Sequence, residues 1–470
     1  MDAEERLRYE INKCRRCEAC KDLLDLACVV FPEMFDLVDK EWETGEAITT
    51  DQLRRLVNLC NFCAACPCSD IRAALMDAKT EYMDRFGLGF RVRVLENVER
   101  LGRLGGRAPQ FTNSLFKNGT TKTLITKIAG IHSDRRIPPF PQENFSEWLG
   151  KRKKRVDPGR RKKRKVAYFA GCTARYFFPD VAKSVVEVLE RNQIEVYCPE
   201  QKCCGMPPLL EGDRKLTLEF ARDNVNRLAE AVTKGYDIVC SCPTCGYMLK
   251  EILKIGASQI IWHQGADETE TDFAHVQVGH GIIGAISGLS SVRLPKKYLD
   301  LLLRDEGFFS SISPEKRILV SENSYDLGEY LHRLCTSDEL DTRFGNVSLK
   351  AAYYPPCHLR KQKIGRPYQE LMGLIPGVTV APVNGDYCCG NAGVMGFKQE
   401  FHRLSIRIAS RLIQKIRDLD PQVLLTDCLS CRIQFNQLTP YDVRHPIEIM
   451  RESYRNYQEE GEEKAVGAFS

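Results

Sequence analysis

Ten cysteines in the second half of the chain recur in one order and at one spacing. Cys172 is followed by the adjacent pair Cys203 and Cys204, by Gly205, and then by Cys242-Pro-Thr-Cys245. The pattern returns as Cys357, Cys388-Cys389-Gly390 and Cys428-Leu-Ser-Cys431, displaced by 185 residues for the first three cysteines and 186 for the last two. Such a repeat means a duplicated unit built to hold a thiolate-bound cofactor. Adjacent cysteines suit a regular cubane poorly, because a cubane offers one outward site per iron. They suit bridging two irons, or binding neighbouring irons of an opened cluster. A non-cubane 4Fe-4S cluster is therefore expected in one or both copies, and a four-cysteine zinc site in one copy is the alternative. Gly205 and Gly390 are expected to let the backbone pass where a Cβ would strike the cofactor. His358, next to Cys357, is a candidate to hydrogen-bond a cluster sulfur or carry a proton, or else a satisfied structural histidine.

The N-terminal part holds a second set. Cys14, Cys17 and Cys20 stand at two-residue gaps, as do Cys60, Cys63 and Cys66, which Pro67 follows. Three thiolates so spaced can wrap one face of a cubane, with a fourth ligand from elsewhere. Leu24 and Asp70 occupy the positions where the usual fourth cysteine would stand, leaving Cys28 and Cys68 as the remaining local thiols. The expected sets are Cys14, Cys17, Cys20 with Cys68, and Cys60, Cys63, Cys66 with Cys28, one 4Fe-4S cubane each. Zinc also accepts four thiolates, but it pairs CxxC units rather than CxxCxxC triplets. Cys198, Cys240 and Cys335 lack repeat counterparts and read as small buried side chains; His445 reads as structural.

These residues need elements to position them. Residues 1–100 read as helical, and 101–165 as a connector with a basic linker, in which Phe140–Trp148 can pack on a neighbour. From Val166 short apolar strands alternate with amphipathic helices: the strand before Cys172, then Glu195–Cys198, Asp237–Cys240, Lys350–Tyr354, Thr379–Val383 and Gln422–Thr426. That alternation indicates two α/β units with largely parallel sheets, at 166–265 and 346–455. The cysteines then fall just past strand ends, where open α/β sheets hold ligands. Residues 266–345 read as an inter-repeat segment, with a helix near Glu322–Leu334 packed on the second copy. Gly279–Gly288 is glycine-rich but lacks a nucleotide fingerprint. The tail, 456–470, reads as disordered.

The bulk composition bounds the rest. At 470 residues, 43% of them hydrophobic, the chain is long enough for several cores. No apolar run is long enough to span a bilayer. The polar start and 21 cysteines point to metal binding in a reducing, cytoplasmic setting rather than to disulfides. The net charge of +5 is local: Lys151–Lys165 holds 11 basic residues and one acid, which leaves 57 basic against 62 acidic residues elsewhere. This run reads as a solvated linker, or as a peripheral contact with the inner face of the membrane or an acidic subunit. Nucleic acid is not expected, because no recognition fold accompanies the charge.

The two constellations resemble the cysteine-rich CCG domains of heterodisulfide reductase catalytic subunits, and those of glycolate oxidase and lactate-utilisation iron–sulfur proteins. The paired CxxCxxC motifs, Cys203–Pro207 (CCGMP), Cys388–Glu400 (CCGNAGVMGFKQE), Thr426–Cys431 (TDCLSC) and His445–Ile447 also resemble the iron–sulfur subunit family of anaerobic glycerol-3-phosphate dehydrogenases. The resemblance runs from Cys14 to about Met450. It implies an all-α ferredoxin-like domain followed by two α/β CCG domains, acting as an electron conduit. The partners it implies are a flavoprotein dehydrogenase subunit and a membrane quinone-reactive subunit. Two complete copies are also what a heterodisulfide reductase needs, so disulfide or quinone reduction by the chain itself is the alternative. A non-redox zinc scaffold is the third.

Overall fold

A computed structural model of the chain describes residues 1–23, 28–60, 62, 66, 68–152, 164–257, 261–262, 273–277, 291–295 and 307–467. Cys63, Pro67, the glycine-rich 279–288 and the middle of the basic run, 153–163, lie outside the described residues.

Five helices open the chain: α1 (Ala3–Cys17), α2 (Ala19–Leu23), α3 (Val30–Thr44), α4 (Thr50–Leu59) and α5 (Ser69–Phe86). Capping boxes start two of them. Asp2 with Glu5 closes the first turn of α1, and Thr49 with Gln52 that of α4, each satisfying backbone N–H groups that helix geometry leaves unpaired. Their apolar stripes meet in a core of Leu7, Ile11, Phe31, Met34, Leu53, Leu56 and Leu75. This packing brings the helix ends that carry the cysteines together. Cys14 and Cys17 lie in the last turn of α1, Cys60 caps the C-terminus of α4, and Cys68 is the N-cap of α5.

The stretch expected to be a connector is largely helical. After α6 (Phe90–Glu96) and α7 (Val98–Gly105), which runs into it, it contains α8 (Pro109–Lys117), α9 (Gly119–Ala129) and α10 (Phe145–Lys151). Phe140 and Phe145 are buried, the latter edge-on to Tyr168. Past α9 the chain is stitched to the second α/β unit: Ile131 bridges Lys398, and the Gln399 N–H donates to the Gly130 carbonyl.

Each α/β unit holds a four-stranded, all-parallel sheet. In the first, β1 (Arg164–Phe169) lies between β2 (Ile194–Tyr197) and β3 (Asp237–Cys240), and β7 (Ser324–Asp326) pairs with the far side of β3. In the second, β8 (Leu349–Tyr353), β9 (Val378–Pro382), β10 (Val423–Leu425) and β11 (Asp442–Arg444) repeat that order. The sheets are covered on both faces, so the strands read as nearly unbroken apolar runs. One core serves both copies, joining Val166, Tyr168 and Val185 to Leu331, Tyr353 and Leu371.

Several expectations change. The strand before Cys172 stops at Phe169, and Cys172 belongs to the helix Gly171–Tyr176 that follows. The first unit does not end near residue 265: its fourth strand is β7, inside the expected inter-repeat segment. Between β3 and β7 the chain makes an excursion that includes a separate antiparallel sheet of β4 (Ile261–Trp262), β5 (Phe273–Gln277) and β6 (Ser291–Pro295). The helix near 322–334 begins only at Leu327, after β7, and packs on the helix Pro367–Gly373 of the second copy. The tail does not leave the structure at 456; the helix Pro446–Gly467 continues through it.

A buried charge cluster joins the three parts. Lys398 is ion-paired with Glu211, while Lys79 and Glu96 lie buried beside them. Burial, with Asp213 and Glu211 adding their own charge, pushes the Glu96 carboxyl up to about 9 from 4.5. Its folded pKa is raised, so the stabilisation is full below the unfolded value and is lost as pH rises through the folded one. We expect the melting temperature to fall between about pH 5 and pH 9, and Glu96→Gln to flatten that slope. An unchanged slope in the variant, measured by thermal denaturation across pH, contradicts the assignment.

Candidate metal centres

The packing of α1–α5 brings the described N-terminal thiols near one another. The Cys14 sulfur has Cys20, Cys68 and Cys17 as its cysteine neighbours, and Cys20 has Cys68 and Cys17. Cys28 lies near Cys60 and Cys20, and Cys66 near Cys60, Cys28 and Cys20. The thiols differ in exposure. Cys17 and Cys68 are exposed, whereas Cys60 is buried and Cys28 and Cys66 are half-buried. Burial pushes Cys14 and Cys28 up to about 11 and Cys66 to about 12. At Cys60 two cations on α5, Lys79 and Arg72, act against burial. Arg72 also lies over the Phe62 ring.

In the second half the strand ends deliver the cysteines. At Gly171 the backbone is left-handed, and a Cβ there would stand 2.8 Å from the Cys245 sulfur; glycine lets that thiol approach the chain. Cys172 Sγ lies 3.3 Å from Cys203 Sγ. From there hydrogen-bond contacts run through Cys204, Cys245 and Cys242. Cys242 contacts Cys428 of the other copy, and the chain continues through Cys431, Cys389 and Cys388 to Cys357. All ten repeated cysteines thus form one continuous sulfur array across the boundary between the copies. Nine of them are buried and Cys357 is half-buried.

The electrostatics of this array bear on what it holds. Hydrogen bonds from neighbouring thiols lower Cys204 to about 6 and hold Cys242 and Cys388 well below the ordinary thiol value. Cys172, Cys245 and Cys428 are pushed well above it by hydrogen bonds to neighbouring cysteines and then by burial, and Cys431 by burial first. A buried row of sulfurs cannot carry ten negative charges unaided, so full ionisation requires positive charge in its midst. An iron–sulfur cluster supplies that charge, and the all-sulfur donor set fits one. Among the described residues no three His, Cys, Asp or Glu side chains converge on the position of a single ion. An extended row suits a polynuclear group better than a mononuclear one.

Gly205 and Gly390 each follow an adjacent cysteine pair. Both are left-handed, at φ +93° and +80°. A Cβ at Gly205 would make only ordinary contacts with Met248 and Thr217, and one at Gly390 would strike the Ser405 carbonyl. The protein's own atoms already impose left-handed turn conformation at both positions and close packing on a helix at Gly390.

His358 is buried between three parts of the molecule. Its Nε2 donates to the Phe62 carbonyl at 3.3 Å, and its Nδ1 meets the Thr244 hydroxyl at 3.0 Å. Phe62 belongs to the loop of the second CxxCxxC motif, and Thr244 stands between Cys242 and Cys245. Burial lowers the imidazole pKa, so it is neutral and acts as a bridge. His445 is structural as expected. Its Nε2 donates to the Ser241 carbonyl at 2.9 Å and its Nδ1 accepts from the Ile447 N–H, and burial holds it at about 4. Cys198 and Cys335 pack against the shared core, and Cys240 is buried at the end of β3.

Other residues of the site were not singled out in the sequence. Arg135, fully buried, donates to Gln434 and at 2.6 Å to Asn391, and places its charge near Cys389. No local signal marks it, because its partners lie far along the chain. Arg72 and Lys79, seven residues apart on one face of α5, were legible from spacing. A cavity of about 200 Å³ opens against Cys172, Cys357, Cys388, Cys389, Cys428 and Cys431. Its remaining wall is almost wholly apolar, formed by Val98, Leu101, Phe116, Phe140, Phe177 and Phe397.

Comparison with known proteins agrees with this geometry. The cysteine-rich domain model, CCG, matches residues 166–250 and 351–436. A subunit of the anaerobic glycerol-3-phosphate dehydrogenase of Escherichia coli (strain K12) is 23% identical over 366 residues, 77% of this chain and 76% of that protein. Lactate utilization protein A 1 of Bacillus mycoides (strain KBAB4) is 24% identical over 297 residues, 61% of this chain and 97% of its own length. A subunit of the CoM/CoB fumarate reductase of Methanothermobacter marburgensis is 24% identical over 282 residues, 59% of this chain and 42% of its own. With its helical N-terminal part and two parallel-sheet units, the chain thus carries two CCG cysteine-rich domains, one on each unit, and is homologous to these proteins.

Proposed function

We propose that the chain is an iron–sulfur relay subunit, carrying electrons between a flavoprotein dehydrogenase subunit and a quinone or another acceptor. The homologues are subunits of dehydrogenases and reductases. The observation that carries the reading is the contact of the Phe62 loop with the ten-sulfur array through His358. Cys14, Cys17, Cys20 and Cys68 would hold an outer 4Fe-4S cubane, reached from solvent or a partner because Cys17 and Cys68 are exposed. Cys28, Cys60, Cys63 and Cys66 would hold an inner one. The repeated cysteines would hold the non-cubane clusters, five thiolates to each copy. Bound clusters supply one-electron chemistry. The protein's own residues set its conditions. Arg72, Lys79 and Arg135 place positive charge beside the inner and second CCG sulfurs. The apolar cavity keeps water from the array and has room for the ring of a lipophilic acceptor.

One observation favours a second reading, a catalytic heterodisulfide reductase-type subunit. The two copies are complete and touch at Cys242 and Cys428, with the cavity against both. A disulfide placed there would face both halves at once. Reduction of a disulfide by the isolated chain, given an artificial donor, separates this reading from the relay.

Anaerobically purified protein should hold about sixteen irons and matching acid-labile sulfide, without zinc. Cys68→Ser should lose about four irons and slow electron entry from the partner, leaving the CCG signals in electron paramagnetic resonance intact. Zinc in place of iron, or loss of the CCG signals in that variant, contradicts the assignment. Arg135→Gln should shift the second CCG potential negative by tens of millivolts, with Arg135→Lys restoring most of it, because a buried positive charge stabilises the reduced state. Redox titration checks this, and equal potentials in all three proteins exclude a role for the charge.

A further inference from the structure

Exposed apolar side chains concentrate in one stretch of the chain. Of the thirteen large hydrophobic residues that stand exposed among the described residues, Phe90, Leu104, Phe111, Leu124 and Ile128 lie on α6–α9, each at least half exposed. Leu124 and Ile128 are one turn apart on α9 and share a face. Asn118 caps α9, and the Thr121 hydroxyl donates to the Leu115 carbonyl, fixing the corner between α8 and α9.

The charge of the same segment is one-sided. From Arg100 to Ser133 the sequence has no acidic residue, while Arg100, Arg103, Arg107, Lys117, Lys122 and Lys127 are basic. Of these only Arg103 has a carboxylate partner among the described residues, the buried Glu99. The basic run expected to make such a contact is different at its described ends. There Lys151, Arg152 and Arg164 are ion-paired with Glu143, Glu190 and Glu339 of this chain.

We propose that α6–α9 form a docking face for an anionic lipid bilayer, with the apolar side chains seated among the acyl chains and the cations on the headgroup phosphates. Amphipathic helices with aromatic and branched apolar residues on one side and unpaired cations beside them bind membranes in this way. A protein partner fits less well, since lysine is depleted at protein interfaces. The same helices wall the cavity. α7 turns Val98 and Leu101 inward and Leu104 outward, and α8 turns Phe116 inward and Phe111 outward. A seated bilayer would lie one helix's width from the cavity, the position from which a lipophilic acceptor would reach the sulfur array. The docking proposal stands whatever the acceptor is.

The test is sedimentation of the full-length, cluster-loaded protein with phosphatidylcholine vesicles, with and without phosphatidylglycerol. Wild type should bind the phosphatidylglycerol vesicles and release at high salt. The double variant Leu124→Glu/Ile128→Glu should bind about tenfold more weakly or less, and each of Lys117→Gln, Lys122→Gln and Lys127→Gln about fivefold more weakly. Iron content and melting temperature should stay at wild-type values, which separates lost docking from lost folding. Wild type that remains in the supernatant overturns the proposal, as does binding that none of these substitutions weakens. Protection of Phe111 and Leu124 by a dehydrogenase subunit, from vesicle-free hydrogen exchange, with no vesicle binding would make the face a protein interface and also overturn it. Reduction of a water-soluble quinone by the reduced protein without vesicles should be the same in all variants. Failure of that reaction in wild type that still binds vesicles would remove the relay and leave the docking face.

Discussion

A buried thiol gives up its proton reluctantly, and more so beside another thiolate. Ten sulfurs in continuous contact carry this difficulty to its limit, and much of the surrounding structure answers to it. The strands end before the ten repeated thiols begin, so none of those ten has to sit within a ladder. Cys242 and Cys428 stand at helix N-termini, where backbone N–H groups face them. Tyrosines and apolar side chains surround much of the array and line the cavity beside it, which limits water as a solvent for charge. What remains is a place where only a positively charged inorganic core can make every donor an anion.

The second half of the chain is one body with two sheets, because a single core runs between them and the sulfur row crosses the seam. His358 and His445 work at that seam. Both are neutral, and each ties one copy to the backbone or side chain beside Cys242 of the other. The helical N-terminal part joins the same body through Phe62 and through the buried cluster of Lys79, Glu96, Glu211 and Lys398. A cofactor chain laid across such junctions keeps its spacing only if the junctions do not slide. Buried, charge-assisted contacts resist sliding better than an apolar seam, because displacement would leave charges unpaired.

Much of this was legible before the fold was known. The cysteine repeat, the strands before each group and the alternation with helices are all local patterns, and parallel strands covered on both faces show as short apolar runs. The triplet spacing of the N-terminal cysteines is a local pattern too. Other features were hidden for physical reasons. β7 belongs to the first sheet but is separated from β3 by a long excursion, and no periodicity reveals strand partnership at that distance. Arg135 is held by Asn391 and Gln434, contacts that only the folded chain creates. Residues 100–130 looked like a linker because their helices are short and interrupted by glycine, yet Gly102 and Gly105 are small to admit Tyr176 and Phe140. Gly205 and Gly390 were legible as backbone positions that a side chain would strain, and the folded chain adds the Ser405 carbonyl as one reason. A glycine in a sequence records that something cannot bear a Cβ, not what that something is.

The late arrival of β7 has a consequence for how the molecule is made. On a ribosome the first three strands of the leading unit emerge well before the strand that completes their sheet, whereas the trailing unit receives its last strand soon after its third. For that interval the outer edge of β3 offers unpaired backbone groups, and the cysteines beside it have no opposing copy. The order of synthesis therefore leaves the leading half of the sulfur row uncovered until the trailing copy folds against it.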